Sequence, residues 1–422
     1  MDIFRIEGPV KLSGSVRVNG SKNAALPIMA ATILAPGKTT LKSVPHLLDV
    51  SVCGELLSKL GCKIERQTNT DLTIDSTIVD NPVGPYDIVR RMRAGICILG
   101  PLLARCGRAE VSMPGGCAIG DRPVNLHIRG MKALGAKIYL KNGYIIAEAP
   151  NGLLGDEIFM GGPFGSTVLG TANVLMASVL AKGRTVIESA ACEPEIADLA
   201  NCLNEMGAKI SGIGSPRLVI DGVKELSPID YEVIPDRIEA GTFMAAAAIT
   251  ESELDIKHCR LSHLMAVVDK LRDIGVSVDS NADGCTVSRN GPIKSTDVTT
   301  QPYPGFPTDL QAQFMTLLAL AKGNSFVIEK IFPDRFMHVA ELNRMAADLR
   351  KEGQIVIVAG VEKLIAAPVM ASDLRASAAL VLAGLAAEGT TIINRVYHID
   401  RGYEKIEERL NPLGAKIFRE KE

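Results

Sequence analysis

Hydrophobic and polar positions follow one repeating order along this chain. A segment that is apolar on almost every position is followed by a short strand-like stretch, a polar loop, a second helical segment, and a tight turn into another strand-like stretch. The apolar segments read AALPIMAATILAPG, RAGICILGPLLARCG, LGTANVLMASVLAKG, AGTFMAAAAIT, LQAQFMTLLALAKG and LRASAALVLAGLAAEG. Segments without a polar face predict helices that are buried all round. The stretches after them, TTLKSV, RAEVSM, RTVIES, ELDIKH, NSFVIE and TTIINR, predict strands. The turns centre on Gly61, Gly135, Gly207, Gly275, Gly353 and Gly414, in LSKLGCKI, MKALGAKI, LNEMGAKI, LRDIGVSV, DLRKEGQIVI and LNPLGAKI. Glycine suits a helix end because it takes the left-handed conformation at little steric cost. The repeat is roughly 60 to 80 residues long, larger than the usual solenoid period.

Six copies divide into three plus three. The first three end near Lys224 and the last three begin near Tyr231, with the proline-containing SPIDYEVIPDR between them. The first twenty residues predict two strands with no helix, suited to completing the sheet of the C-terminal half. The expected domains are 21–234, carrying a loop at 112–123, and 1–20 together with 235–422. Chain crossings are expected near Gly20 and Asp236, with a hinged cleft between similar domains.

Composition narrows the class. At 422 residues the chain is too long for one core. It is 47% hydrophobic and 22% charged, with a formal net charge of −2, which leaves no electrostatic footprint for nucleic acid. Aromatic residues make up only 4% and Trp is absent, so small side chains dominate the helices. No run reaches the length of a membrane span, and MDIFRIEG lacks the basic and apolar regions of a signal peptide. Nine cysteines without a CxxC pair predict free thiols in a reducing cytoplasm. His258, Cys259 and His263 are neighbours but lack the second pair of a zinc site. No Walker motif or dinucleotide fingerprint appears.

Four features carry candidate chemistry. MPGGCAIGDRP, residues 113–123, has neither helical nor strand period, so it predicts a loop, and its Cys117 has Arg122 close by to favour the thiolate. Lys22 with Asn23, then Arg93, then Arg375 open apolar helices, where the dipole disfavours cations unless an anion binds beside them. Asp309 stands at the start of the fifth apolar helix, by type either a cap or a functional acid, and Asp373 precedes Arg375 by two residues. Arg335 and Arg401 lie in RFMH and HIDRGYE. GGPFGSTVLG, residues 161–170, offers glycine N–H groups with Ser166 and Thr167 to a phosphate.

These residues stand in recognisable motifs. GSKNAALP, PGGCAIGDRPVNLHI, EPEIADLAN, PDRIEAGTF, FPTDLQAQF, DRFMHVAEL, SDLRASAALVLAG and YHIDRGYEKIE occur in order along essentially the whole chain. With them the chain resembles the UDP-N-acetylglucosamine 1-carboxyvinyltransferase family, enolpyruvyl transferases that begin peptidoglycan synthesis. The resemblance implies an α/β fold of two inverse α/β barrel domains, each of three βαβ-type units around a pseudo-threefold axis. It implies transfer of the enolpyruvyl group of phosphoenolpyruvate to the 3′-hydroxyl of UDP-N-acetylglucosamine by addition and elimination, releasing phosphate. Cys117 then matches the loop thiol, a proton donor that can add covalently to phosphoenolpyruvate and is alkylated by the epoxide phosphonate fosfomycin. Asp309 matches the candidate base. Lys22, Asn23, Arg122 and Arg401 match contacts to phosphoenolpyruvate. Asn23, Arg93, Arg122, Pro123, Val124, Asn125, Leu126, Ser166, Thr167, Val168, Asp309 and Ile331 match contacts to the nucleotide sugar. Arg335, Asp373 and Arg375 match supporting residues. Three negative charges on one small substrate explain why so many cations are needed.

The chain departs from the family pattern at Asn125, where an aspartate is usual, and in the longer loop at 161–170. The resemblance implies no cofactor and no metal, a cytoplasmic monomer or weak oligomer, and no membrane or nucleic-acid partner. Two alternatives remain: the related 5-enolpyruvylshikimate-3-phosphate synthase, which RRMRAGIC and Cys117 argue against, and a non-catalytic sensor of a UDP-sugar, which intact Lys22, Cys117, Asp309 and Arg401 argue against.

Overall fold

Each apolar segment forms a helix, most of whose residues are buried on every side. In helix Arg237–Ile249 all residues after Arg237 are buried, and in Leu374–Ala386 every residue from Arg375 to Leu385 is buried. The computed structural model describes residues 2–114 and 124–422. Within them the chain divides into two compact units, one of residues 20–114 and 124–234, the other of residues 2–19 and 235–422. The chain passes from one unit to the other between Asn19 and Gly20, and returns between Ile234 and Pro235.

Six four-stranded sheets share one topology. An edge strand runs parallel to a central strand, which pairs antiparallel with a third, and the third pairs antiparallel with the fourth. In the second copy these are Val83–Gly84, Arg108–Ser112, Tyr144–Glu148 and Lys137–Lys141. In four copies the apolar helix connects the edge strand to the central strand, the usual route between parallel neighbours. The central strands are the six expected from sequence, such as Lys38–Lys42 and Asn324–Ile328. Two sheets recruit distant strands. Ser13–Arg17 is the parallel edge beside Glu253–Lys257, while Asp230–Glu232 is the parallel edge beside Lys38–Lys42. Asp2–Gly8 pairs with both Gly389–Asn394 and Ile417–Lys421, so the N-terminus completes the last sheet.

The helices pack on one another inside and the sheets lie outside with one face in water, as in Lys38–Lys42, where Thr39 and Leu41 are buried and both end residues exposed. This is the inverse arrangement expected. Hydrogen bonding among the described residues stays within each group of four strands, so no continuous closed barrel forms. Close helix approach depends on small residues. A Cβ at Gly100 would come within 2.2 Å of the Asn173 carbonyl oxygen, and one at Gly241 within 2.4 Å of Leu310. Asn173 supplies the polar half of the same junction. Its Oδ1 accepts the Gly100 N–H at 2.6 Å and its Nδ2 donates to the Ile96 carbonyl at 2.8 Å, all in the interior.

One of the six turns lies elsewhere than expected. Gly353 sits in the hairpin between Asp348–Glu352 and Ile355–Ala359. The fifth copy of the helix-to-strand turn is LNRMAADL, between His338–Arg344 and Asp348–Glu352, and Ala346 takes the left-handed position there at φ 66°. The period was hidden because an alanine stands where the other copies have glycine. This pair of sites gives a test. A Cβ at Gly207 would meet nothing within 4 Å, but its φ is 107°. Gly207→Ala should therefore cost about 1–2 kcal/mol through backbone strain alone, while Ala346→Gly should be neutral or stabilise by up to about 1 kcal/mol. Urea unfolding midpoints decide, and equal losses in both variants would refute the strain at Ala346.

Candidate active site

In the first unit the residues singled out from sequence gather at helix starts. Lys22 and Asn23 open helix Lys22–Ala31, where the Ser21 side chain caps the Ala24 N–H at 3.3 Å. Arg93 opens the 3₁₀ turn Arg93–Ile98, which runs into helix Leu99–Cys106. Val124 is buried, the exposed Asn125 opens helix Asn125–Ala133, and Leu126 follows half-buried. Ser166 ends the small hairpin of Gly161–Gly162 with Gly165–Ser166, and Thr167 caps helix Val168–Ser178 by accepting the Gly170 N–H at 3.3 Å. Cys117, Arg122 and Pro123 lie outside the described residues.

Lys22 is buried, and its Nζ stands 3.2 Å from Oδ2 of the equally buried Asp49. A buried ammonium needs such a partner, because desolvation otherwise favours its neutral form. Asp49 went unnoticed in the sequence, where it resembles an ordinary acid in the first turn of helix Leu48–Lys59. His127 is a second omission. It is 3% exposed, and the Asn173 amide lies 3.0 Å from its Nδ1. Because that amide also serves Ile96, it is the donor here, which assigns the ring proton to Nε2. Burial first, then the nearby Arg93 charge, lowers the His127 pKa to about 3.

In the second unit Asp309 forms the centre. It lies in the 3₁₀ turn Thr308–Leu310 before helix Gln311–Leu318 and caps nothing. Its Oδ1 accepts from Arg335 Nη1 at 2.8 Å, and its Oδ2 accepts from Arg375 Nε at 3.2 Å and Nη2 at 2.9 Å. Arg375 is 2% exposed and Arg335 6%. Burial pushes the Asp309 carboxyl up, but the two guanidinium groups outweigh it and hold the pKa well below the usual range. Asp373 is the cap instead, with Oδ1 accepting from the Arg375 N–H at 2.8 Å and the Ala376 N–H at 3.1 Å. Arg401 ends the 3₁₀ segment Val396–Arg401, half-buried, and after burial its charge helps lower the His398 pKa. Ile331 is half-buried, and its N–H donates to Glu329 Oε1 at 2.8 Å.

Two readings from sequence change here. Arg375 opens its helix as expected, yet its charge faces Asp309 rather than an open helix end. Asp309 is held by side chains from distant segments, which no local spacing reveals. A carboxylate has about four lone-pair positions, and among the described residues donors occupy three at Asp309, leaving room for one more hydrogen bond.

The eight described cysteines are free. Burial raises the Cys97 thiol to about 12 and also raises Cys53, Cys62 and Cys202, which marks packing residues rather than nucleophiles. Cys106 is exposed. No group of three or more His, Cys, Asp or Glu among the described residues is placed to hold a metal.

Residues 6–410 match the family of EPSP synthase (3-phosphoshikimate 1-carboxyvinyltransferase). The chain belongs to the EPSP synthase family. Within it, the chain is 52% identical over 420 residues to UDP-N-acetylglucosamine 1-carboxyvinyltransferase of Methylacidiphilum infernorum, covering 99% of each chain. The enzyme of that name from Trichlorobacter lovleyi is 54% identical over 421 residues, again covering 99% of each. Among solved structures, the enolpyruvyl transferase NikO from Streptomyces tendae superposes with a TM-score of 0.90 at 26% identity, over 99% of this chain and 98% of that one. EPSP synthase from Acinetobacter baumannii gives a TM-score of 0.77 at 18% identity over the full length of both, a likeness of fold.

The buried His127 makes stability depend on pH in this family member. Its folded pKa of about 3 lies below an unfolded value of about 6.5. As pH falls, the unfolded state takes up the proton first, so stability drops from near pH 6.5 downward until the folded value is reached. Between pH 8 and pH 5 the loss is about 2 kcal/mol from this group. His127→Gln should reduce the difference between unfolding midpoints at the two pH values by that amount, and an unchanged difference would refute it.

Proposed function

We propose that this chain transfers the enolpyruvyl group of phosphoenolpyruvate to the 3′-hydroxyl of UDP-N-acetylglucosamine and releases phosphate, the step that begins peptidoglycan synthesis. The observation that carries this reading is identity of 52% or more, over 99% of the chain, to enzymes named for that acceptor and that group. In the addition step C3 of phosphoenolpyruvate gains a proton and the sugar oxygen bonds to C2. In the elimination step C3 loses a proton as the C–O bond to phosphate breaks.

In this reading Cys117 gives the proton to C3. Lys22, Asn23, Arg122 and Arg401 hold the phosphate and carboxylate of phosphoenolpyruvate, where charge-assisted hydrogen bonds are strongest. Arg93, Val124, Asn125, Leu126, Pro123, Ser166, Thr167, Val168 and Ile331 hold the nucleotide sugar. Arg335, Asp373 and Arg375 support Asp309, which accepts a hydrogen bond from the sugar hydroxyl. A carboxylate so strongly held by arginines is a weak base, so it takes the proton only as the oxygen attacks C2. The reaction as written requires no cofactor. The same reading has the protein act in the cytoplasm as a monomer or weak oligomer. No helix among the described residues is long and apolar enough to cross a membrane.

Phosphate release tests the acceptor. With phosphoenolpyruvate present, UDP-N-acetylglucosamine should trigger release and shikimate 3-phosphate should not, and the opposite outcome would move the chain to the other branch of its family. Variants test the roles. Asp309→Asn should lower kcat by about 100-fold or more. It should also cost about 3 kcal/mol of stability, because Arg335 and Arg375 lose the charge that compensates them. Arg401→Ala should act chiefly by raising KM for phosphoenolpyruvate. An Asp309→Asn enzyme that keeps more than about a tenth of wild-type kcat would remove Asp309 from the proton transfer.

A further inference from the structure

Glu329 is wholly buried, and its carboxylate accepts four hydrogen bonds. Its Oε1 receives the Thr300 hydroxyl at 2.7 Å, the Ile331 N–H at 2.8 Å and the Phe332 N–H at 2.9 Å. Its Oε2 receives the Thr308 hydroxyl at 2.8 Å. The Thr308 proton is therefore committed to Glu329, and a lone pair of the same oxygen faces Arg335 Nη1 at 3.1 Å. That nitrogen also donates to Asp309 Oδ1 at 2.8 Å. A hydroxyl has one proton and two lone pairs, so fixing the proton fixes the side that can accept. Thr300 closes the other end by accepting the Lys330 N–H at 2.9 Å.

We propose that Glu329 is a positioning residue for the transfer reaction. Through Thr308 it orients the Arg335 guanidinium against Asp309, and through the Ile331 and Phe332 N–H groups it fixes the backbone that carries the nucleotide-sugar contact. One carboxylate thus ties two parts of the acceptor side together: the acid facing the hydroxyl and the turn beside the sugar. Nothing in Glu329 touches a substrate. Its effect reaches the chemistry as geometry, and small errors in geometry at a reacting centre are costly. This inference rests on the reading of Asp309 and Ile331 as acceptor-side residues.

Thr308→Val keeps the side-chain shape and removes the relay. It should lower kcat by about 10- to 100-fold while KM for UDP-N-acetylglucosamine stays within about threefold. Thr308→Ser restores the hydroxyl and should bring kcat back to within about threefold of wild type. Glu329→Gln keeps the outline but replaces one acceptor by an N–H donor, and should lower kcat in the same direction; it decides the matter if Thr308→Val does not fold. A kcat within about threefold of wild type in the folded variants, a loss that serine does not restore, or a loss carried by KM alone would each overturn the proposal. Wild-type enzyme that failed to release phosphate with UDP-N-acetylglucosamine would instead defeat the reading of function, so the two failures are distinct.

Discussion

Helix Arg237–Ile249 buries every residue from Ile238 onward, and helix Val168–Ser178 every residue from Gly170 onward. A helix with no polar side has to be covered all round, and a single sheet covers only one side. The remaining cover comes from the apolar helices of the neighbouring copies, so a lone copy has no stable solution and three share one interior. Close approach then becomes obligatory, which is why Gly100 and Gly241 stand where a methyl group would collide with a neighbouring helix. The sheets are left with one wet face each, and their short strands are enough to shield the helices from water.

The same constraint places the candidate site residues. A helix buried along its length has polar backbone groups free only at its ends. Each apolar helix follows an edge strand in the chain, and at or just before the helix start the chain puts Lys22, Arg93, Asp309 and Arg375. Charges at such depth need compensation, and it comes from side chains distant in sequence: Asp49 for Lys22, Asp309 for Arg375 and Arg335. Asn173 plays the neutral version of this part, joining the Gly100 N–H, the Ile96 carbonyl and His127. These contacts fix the side chains before any substrate arrives, which is preorganisation in the sense relevant to catalysis.

How much was legible in the sequence follows from the range of each interaction. The apolar helices and the central strands were legible because periodicity is local. Gly61, Gly135, Gly207, Gly275 and Gly414 were legible because a left-handed turn names its residue, and each has a positive φ. Ala346 broke the rule by taking the turn without glycine, and Gly353, in a hairpin, drew attention to the wrong place. Asp309, by type either a cap or a functional acid, caps no helix, and Asp373 is the cap. Both stand near a helix start, and only the three-dimensional positions of Arg335 and Arg375 distinguish the held acid from the cap. Asp49, Asn173 and Glu329 were illegible for the same reason, since each acts on partners far along the chain.

Asp309 brings these threads together. The two arginines that hold it make it a poor base, which at first sight conflicts with the part in removing a proton proposed for it. The conflict disappears when timing is considered. A sugar hydroxyl is far too weak an acid to give up its proton before it attacks, whatever carboxylate stands nearby. What helps is an acceptor already ionised and fixed in direction, with one position open when the oxygen begins to bond to carbon. Arg335 and Arg375 keep Asp309 ionised and fill its other positions, so the remaining hydrogen bond has one direction. In the proposed reaction, basicity is given up in exchange for orientation, and the electrophile formed by protonation at C3 supplies the driving force that the carboxylate lacks.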